Sequence, residues 1–98
     1  MLLEALVACA GVTMAAVATS MGLDLRSAHV HAEGDVDFRG TLGVDKAAPV
    51  GFRDIRLRFE IDSDSDDETL AKLIELTERY CVVLQTVRSG PTINVSRT

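Results

Sequence analysis

The chain has 98 residues, 47% of them hydrophobic, which suits one globular domain. Its formal net charge is −5, and its ten basic residues are scattered, so we exclude a nucleic-acid or anionic-membrane surface. Its two cysteines are too few for a disulfide scaffold and are therefore either buried structural thiols or a redox pair.

The first predicted element is a helix from Leu2 to about Ser20. Alanine, leucine and methionine favour it, no proline interrupts it, and Gly22 is placed to end it. Glu4 is its only charged residue, so the helix is apolar on every side and should be enclosed on every side. In so short a chain, a second copy should supply part of that cover. Gly11 indicates a close approach of another backbone.

The same apolar run has to be weighed against a signal peptide, and Leu6-Val7-Ala8-Cys9 against a lipoprotein cleavage site. No lysine or arginine precedes the run, and Glu4 stands where the positive region of a signal peptide belongs. The segment before the cysteine is too short for an apolar signal core, and alanine, threonine, serine and glycine dilute a membrane span. These features favour a soluble, cytoplasmic protein that does not use a membrane.

Two amphipathic strands follow the helix. Residues 23–38 alternate small apolar and polar side chains, which predicts a strand, and Gly34 indicates a bulge or bend in it. Residues 52–62 show the clearest alternation and predict a strand with one wet face. The intervening residues 39–51 are rich in glycine and form a loop of the kind that borders sites or interfaces.

An acidic run at residues 62–67 leads into the second main helix. The run resembles a calcium loop, but Asp67 stands where such a loop needs glycine, and Leu73 where it needs glutamate. We therefore predict that Ser65 and Glu68 form a capping box, with the acidic side chains at the positive end of the helix dipole.

The rest of the chain is predicted to hold a helix, a short apolar segment and a strand. The helix runs from about Asp66 to Arg79 with one apolar stripe. The segment Cys81–Val87 either continues this helix or, in the preferred interpretation, bends and starts a short new one, and residues 92–97 form a final strand. This order is an α+β pattern with two main helices on one face of a mostly antiparallel sheet. Three strands make a thin sheet, so a partner chain or further strands should complete it.

Four stretches of the chain match one known family in order and spacing. They are Leu2–Cys9 with Thr13 on the next turn, Arg39–Asp45, Val50–Arg56 and Glu78–Val87. Together they resemble the OsmC/Ohr family of thiol peroxidases along essentially all 98 residues, which we take as a single OsmC-like domain, residues 1–98. The resemblance implies an OsmC-like fold assembled as an intertwined homodimer.

The resemblance also implies chemistry at the two cysteines. Cys9 would be the peroxidatic nucleophile, and Cys81 would resolve its sulfenic acid as an intramolecular disulfide. The implied substrate is an organic hydroperoxide, and the implied reductant is a dithiol such as a lipoyl protein or a thioredoxin-like protein. No cofactor and no metal are implied. An apolar mouth formed by Val12, Val83 and Leu84 would favour an organic peroxide over water.

The chain departs from the family in the segment before Cys9. Family members hold an arginine there, positioned by a glutamate, which offsets the rise in thiol pKa that burial causes. Neither residue maps onto this chain, and Glu4 is not at the matching spacing. The segment after Cys81 places the chain nearer the OsmC-like branch than Ohr. The chain is interpreted as N-terminally truncated relative to the family, and the alternative is a non-catalytic dimeric binding or structural module.

A second candidate site lies on the first strand. His29 and His31 share one face with Glu33, and two imidazoles at this spacing can ligate a metal. A fourth ligand of matching pattern is missing, so a solvated strand face is the preferred interpretation. Arg56 and Arg58 on the second strand are likewise interpreted as surface charges.

Overall fold

The computed structural model describes residues 1–97. Its elements in chain order are α1 (Leu2–Met21), β1 (Leu25–Val36), α2 (Phe38–Thr41), β2 (Phe52–Ser63), α3 (Asp67–Tyr80) and α4 (Val82–Ser89). The two strands form an antiparallel sheet, α1 packs on that sheet, and α3 and α4 pack against α1. The predicted α+β class is confirmed.

The first helix ends where the sequence predicts. Gly22 adopts the left-handed conformation with a φ of 73°, and its N–H donates to the Thr19 carbonyl at 3.1 Å. Within the single chain one face of α1 is buried and Val12 is 73% exposed, so enclosure by a second copy stays a prediction. A Cβ at Gly11 would meet nothing within 4 Å in this chain, so the close approach predicted there would also have to come from another chain.

The sheet turns one apolar face towards α1. Strands β1 and β2 pair so that Val30 lies opposite Phe59 and Ala32 opposite Leu57. The bulge or bend predicted at Gly34 has a counterpart one residue further on, where the register shifts between Asp35 and Val36. The glycine also allows a close approach, since a Cβ at this position would lie 2.6 Å from the Phe52 ring.

The opposite face of the sheet carries cross-strand ion pairs. This agrees with the interpretation of the arginines on the second strand as surface charges. The Arg56 guanidinium lies 3.1 Å from the Asp35 carboxylate and 3.7 Å from that of Glu33. Arg26 pairs with Asp62 at 2.8 Å near the other end of the hairpin. These side chains are exposed, so the pairs favour the register more than the overall stability.

The segment between the strands closes on itself and contains the short helix α2, where the sequence predicts only a loop. The Asp37 carboxylate caps α2 by accepting from the Arg39 N–H at 3.0 Å, and it pairs with the Arg39 guanidinium at 2.8 Å. These hydrogen bonds lower the pKa of Asp37 to about 2. The Arg39 carbonyl then accepts from the N–H groups of Val44 and Asp45 at 3.0 and 3.1 Å.

The second main helix begins with a different cap from the one predicted. The Asp66 carboxylate accepts from the Thr69 N–H at 2.8 Å, so Asp66 and not Ser65 is the N-cap of α3. The Ser65 N–H donates to the Ser63 hydroxyl at 3.3 Å, which engages that residue in the preceding turn. A carboxylate at the positive end of a helix is a stronger acceptor than a hydroxyl, and it takes the position.

The predicted final strand is wrong. Residues 92–97 have no strand assignment in the structure, and Ile93 and Val95 are 79% and 92% exposed. Gly90 ends α4 with a φ of 63°, and Pro91 then lacks an N–H for a ladder. A β-strand needs a neighbouring strand for its backbone hydrogen bonds. Within residues 1–97, β1 and β2 pair only with each other.

Candidate thiol site

The packing of α1 against α3 and α4 brings the two cysteines to one place. Cys9 lies near the middle of α1, which crosses both α3 and α4. Cys81 ends α3 and also precedes the first residue of α4, in an extended conformation with φ −74° and ψ 112°. Its N–H donates to the Thr77 carbonyl at 3.0 Å, and its carbonyl accepts from the Gln85 N–H at 3.0 Å. The predicted bend after α3 is confirmed.

The two cysteines lie in one cluster of the core. Cys81 is completely buried there with Leu6 and Ala10, and Cys9 is half-buried and packs against that cluster. Both residues are free thiols. The structure therefore brings together the two residues that the sequence singled out.

The surroundings shift the two thiol pKa values in opposite directions. The pKa of Cys9 is lowered, chiefly by the Val83 N–H and next by the Cys81 thiol, against an opposing effect of burial. The pKa of Cys81 is raised, chiefly by burial and further by the neighbouring Cys9 sulfur. Cys9 therefore loses its proton more readily than Cys81.

The lowered pKa of Cys9 has no charged cause among residues 1–97. Its causes are backbone N–H groups, the second thiol and the Thr13 hydroxyl. Arg88, near the end of α4, is engaged by Glu78 at 2.7 Å. The family resemblance implies an arginine at the thiol, whereas the largest cause in the structure is a backbone N–H of α4. The available signal was the predicted start of a new helix immediately after Cys81.

An apolar cavity of about 300 Å³ adjoins the cysteine cluster and shares Leu6 and Leu84 with it. Neither cysteine lines this cavity. Its remaining walls are Phe52, Ile55, Leu57 and Val87, with Arg53, Asp54 and Arg88 as its polar residues.

Two of the three residues predicted to form an apolar mouth lie beside the cysteine cluster. Val83 and Leu84 are half-buried and pack against the cysteine cluster. Val12 lies on the exposed face of α1 and takes no part. The strand residues that line the cavity were missed, although the apolar face of β2 was visible in the sequence. Which end of that face would meet α4 depends on tertiary packing, which sequence periodicity does not encode.

The second candidate site lacks a third donor. His29 lies opposite Glu60 in the register and His31 opposite Arg58, while the His31 Nε2 is 3.4 Å from the Glu60 carboxylate. Within residues 1–97, no group of three or more histidine, cysteine, aspartate or glutamate side chains is arranged to hold a metal.

The first helix passes a length and composition test for a membrane span. It has 20 residues and is apolar along nearly all of them. Core helices of soluble proteins pass the same test, and α1 buries Leu6, Ala10, Met14 and Ala18 against the rest of the chain. The opposite face of α1 is exposed in the single chain.

This combination of a cysteine-bearing apolar helix, an antiparallel hairpin and a broken second helix defines a known class of protein. The sequence model of the family described as OsmC-like protein matches residues 1–96. The chain belongs to the OsmC-like family.

Solved structures agree with this assignment. An OsmC-like protein from Mycoplasma pneumoniae is 23% identical with a TM-score of 0.77, and the match covers 89% of this chain and 58% of that one. An OsmC-like protein of unknown function from Vibrio cholerae O1 biovar eltor is 15% identical with a TM-score of 0.68, covering 87% and 54%. The chain thus spans little more than half the length of these relatives. No curated protein matches the chain.

Proposed function

We propose that the chain is a cysteine-based reductase of organic hydroperoxides, with Cys9 as the nucleophile and Cys81 as the resolving thiol. The observation that carries the proposal is that a half-buried Cys9 packs against the cluster that holds the buried Cys81. The lowered pKa of Cys9 and the raised pKa of Cys81 agree with it. Membership of the OsmC-like family, which includes peroxidase-type members, supports it.

The reaction follows from the protonation states of the pair. The Cys9 thiolate attacks the terminal oxygen of the peroxide, the O–O bond breaks, and Cys9 becomes a sulfenic acid. The departing alkoxide takes the proton of the adjacent Cys81 thiol and leaves as an alcohol. The resulting Cys81 thiolate attacks the Cys9 sulfur, and hydroxide leaves and is protonated to water. A dithiol, of the lipoyl-protein or thioredoxin-like class, reduces the disulfide.

The apolar cavity supports an organic rather than an inorganic peroxide. Most of its walls are apolar side chains, so an alkyl or aryl group gains free energy by leaving water there. Leu84→Asp should therefore reduce the rate with cumene hydroperoxide more than the rate with hydrogen peroxide. Equal losses with the two peroxides would exclude the cavity as the binding place of the organic group.

Two features of the chain support a homodimer as the functional form. The outward face of α1 is apolar and exposed, and it carries Ala5, Ala8, Val12, Ala15 and Ala16. Within the described residues, each strand of the hairpin also has one edge without a strand partner. Val12→Glu should convert a dimer to a monomer in analytical ultracentrifugation, and an unchanged mass would assign this helix face to another role.

The decisive experiment compares cysteine variants under substoichiometric cumene hydroperoxide. The parent should form a disulfide between Cys9 and Cys81, detected by mass spectrometry after proteolysis without reductant. Cys81→Ser should accumulate a sulfenic acid on Cys9 that dimedone traps, and Cys9→Ser should consume no peroxide. A Cys9→Ser variant as active as the parent would refute the proposal.

A second candidate function is a non-catalytic dimeric module of the same fold. The observation that favours it is that no cation within residues 1–97 contributes to the lowered pKa of Cys9. Slow or absent sulfenylation of Cys9 in a correctly folded protein would support this alternative. Rapid sulfenylation followed by a disulfide to Cys81 would exclude it.

A further inference from the structure

The break between α3 and α4 consists of one residue, Cys81. Its φ of −74° is compatible with a helix, and its ψ of 112° alone turns the chain out of one. Residues 67–89 contain no glycine and no proline, so no residue in this stretch ends a helix by itself. An uninterrupted helix through Cys81 is therefore a close alternative, which a rotation about one backbone bond separates from the observed structure.

The backbone carbonyl of Glu78 distinguishes the two arrangements. In an uninterrupted helix it would accept from the N–H of Val82, four residues further on. In the structure it accepts from the side-chain amide of Gln85 at 2.8 Å, and this hydrogen bond is partly buried. The carbonyls in the last turn of a helix have no partner within that helix. Here the following helix supplies one through the Gln85 side chain.

A second contact crosses the break between the same two helices. The Arg88 guanidinium lies 2.7 Å from the Glu78 carboxylate. Both side chains of this ion pair are about half exposed, so the pair contributes less than the partly buried hydrogen bond of Gln85. Cys81 lies between the joined residues and is completely buried in the cluster against which Cys9 packs.

We infer that Gln85 is a positioning residue that holds α4 over Cys81. Its hydrogen bond occupies the Glu78 carbonyl, the acceptor that Val82 would need in an uninterrupted helix. If α3 extended through the break, α4 would turn away from α1, and the side chains of α4 that pack against the cysteine cluster would leave it. The inference deepens the proposed function, on which it rests only for the resolving role of Cys81.

The position of α4 decides which molecules reach the Cys81 thiol. With α4 in place this thiol has no exposed surface, and the sulfur that shares its cluster is that of Cys9. A thiol buried in apolar surroundings is unreactive towards reagents in solvent. The hydrogen bond of Gln85 thereby keeps Cys81 for the second step of the reaction and away from free peroxide and free thiols.

Alkylation of Cys81 measures whether α4 covers it. All variants carry Cys9→Ser, which leaves Cys81 as the sole thiol, and mass spectrometry follows its reaction with iodoacetamide at one fixed pH. Gln85→Met has a side chain of similar size without the donor. We expect it to raise the alkylation rate about two- to tenfold, as the loss of one hydrogen bond predicts. Gln85→Lys keeps an N–H donor and should stay close to the parent.

Val82→Pro tests the competition between the two donors. It removes the N–H of Val82, and the proline ring would clash with the Glu78 carbonyl of an uninterrupted helix. It fits the observed structure, because Val82 is the first residue of α4 and Cys81 before it is already extended. In a Val82→Pro background, Gln85→Met should therefore have no further effect on the alkylation rate.

Leu70→Ala is the control for general destabilisation. Leu70 is a partly buried residue of α3 in the other hydrophobic cluster, so its truncation should leave the alkylation rate of Cys81 unchanged. The inference is overturned if Gln85→Met is alkylated like the parent, if it accelerates alkylation equally with and without Val82→Pro, or if Leu70→Ala accelerates it as much.

Circular dichroism checks the folding of each variant, and if Val82→Pro does not fold, the difference between Gln85→Met and Gln85→Lys decides. The measurement uses no peroxide and a protein without Cys9. A chain that protects Cys81 through Gln85 but reduces no peroxide therefore refutes the proposed function and leaves this inference standing.

Discussion

Oxidation of the cysteine pair should stabilise the fold by an amount that the chain topology sets. The perturbation is a disulfide between Cys9 and Cys81, which would join α1 to the junction of α3 and α4. It closes a loop of about 70 residues, and the loss of unfolded-chain entropy for a loop of this length is worth about 4 kcal/mol at 25 °C. That is a large share of the roughly 5–15 kcal/mol that stabilises a domain.

Urea unfolding of the oxidised and the reduced protein measures this difference. The oxidised form is prepared with one equivalent of cumene hydroperoxide and unfolded without reductant, and the reduced form is kept in excess thiol. Strain in the folded disulfide subtracts from the entropic gain, so we expect a stabilisation between about 2 and 4 kcal/mol. Cys81→Ser is the control, since peroxide should leave its unfolding midpoint unchanged.

One outcome would refute the reasoning behind this value. If the protein forms the intramolecular disulfide but is no more stable than the reduced form, the two sulfurs do not lie within bonding reach in the native packing. The stabilisation that the disulfide gives by restricting the unfolded chain would then be offset by strain in the folded protein.

Three further predictions concern the fold around the site. Leu73→Ala removes a side chain with no exposed surface and should cost about 2–5 kcal/mol in urea unfolding. Asp37→Asn removes the ion pair with Arg39. Because the folded pKa of Asp37 is about 2 and its ordinary value is 3.8, the stabilisation is complete above 3.8 and lost as pH falls through about 2. The melting curves of parent and variant should therefore differ near neutral pH and converge at low pH. Gly34→Ala should displace the Phe52 ring, cost about 1–3 kcal/mol, and reduce turnover of bulky peroxides, since that ring lines the cavity.

The elements that the sequence predicts correctly are those with a local cause. Alternation along residues 52–62 follows from the pleat of a strand, and the end of α1 at Gly22 follows from the freedom of glycine at positive φ. The bend at Cys81 is also local, because the apolar stripe of α3 stops there. These signals are complete within a few residues of the position they describe.

The elements that the sequence predicts wrongly depend on partners elsewhere in the chain. Gly34 carries a signal for a bulge, and the register does shift one residue later, but nothing near it in the sequence indicates the Phe52 ring that lies against it. The C-terminal segment alternates like a strand, but a strand needs a neighbour that the alternation does not supply. Such choices depend on tertiary structure.

The candidate site likewise has features that the sequence predicts and features that depend on tertiary structure. The two cysteines were identifiable as residues, and their roles came from a family resemblance. The physical origin of the Cys9 pKa was not identifiable, because it comes from backbone N–H groups that every sequence possesses. The lowered pKa of Cys9 depends on α4 beginning beside α1, and no side chain in the sequence predicts that packing.

The order in which the chain is synthesised gives the cysteine pair a further property. Cys9 belongs to the first helix and emerges early, whereas Cys81 and α4 follow the hairpin and α3. Until α4 docks, the Cys9 sulfur lacks both the second thiol and the N–H groups that lower its pKa. A nascent or partly unfolded chain therefore carries a cysteine of ordinary reactivity, and a low-pKa thiol marks a chain whose distant parts have already come together.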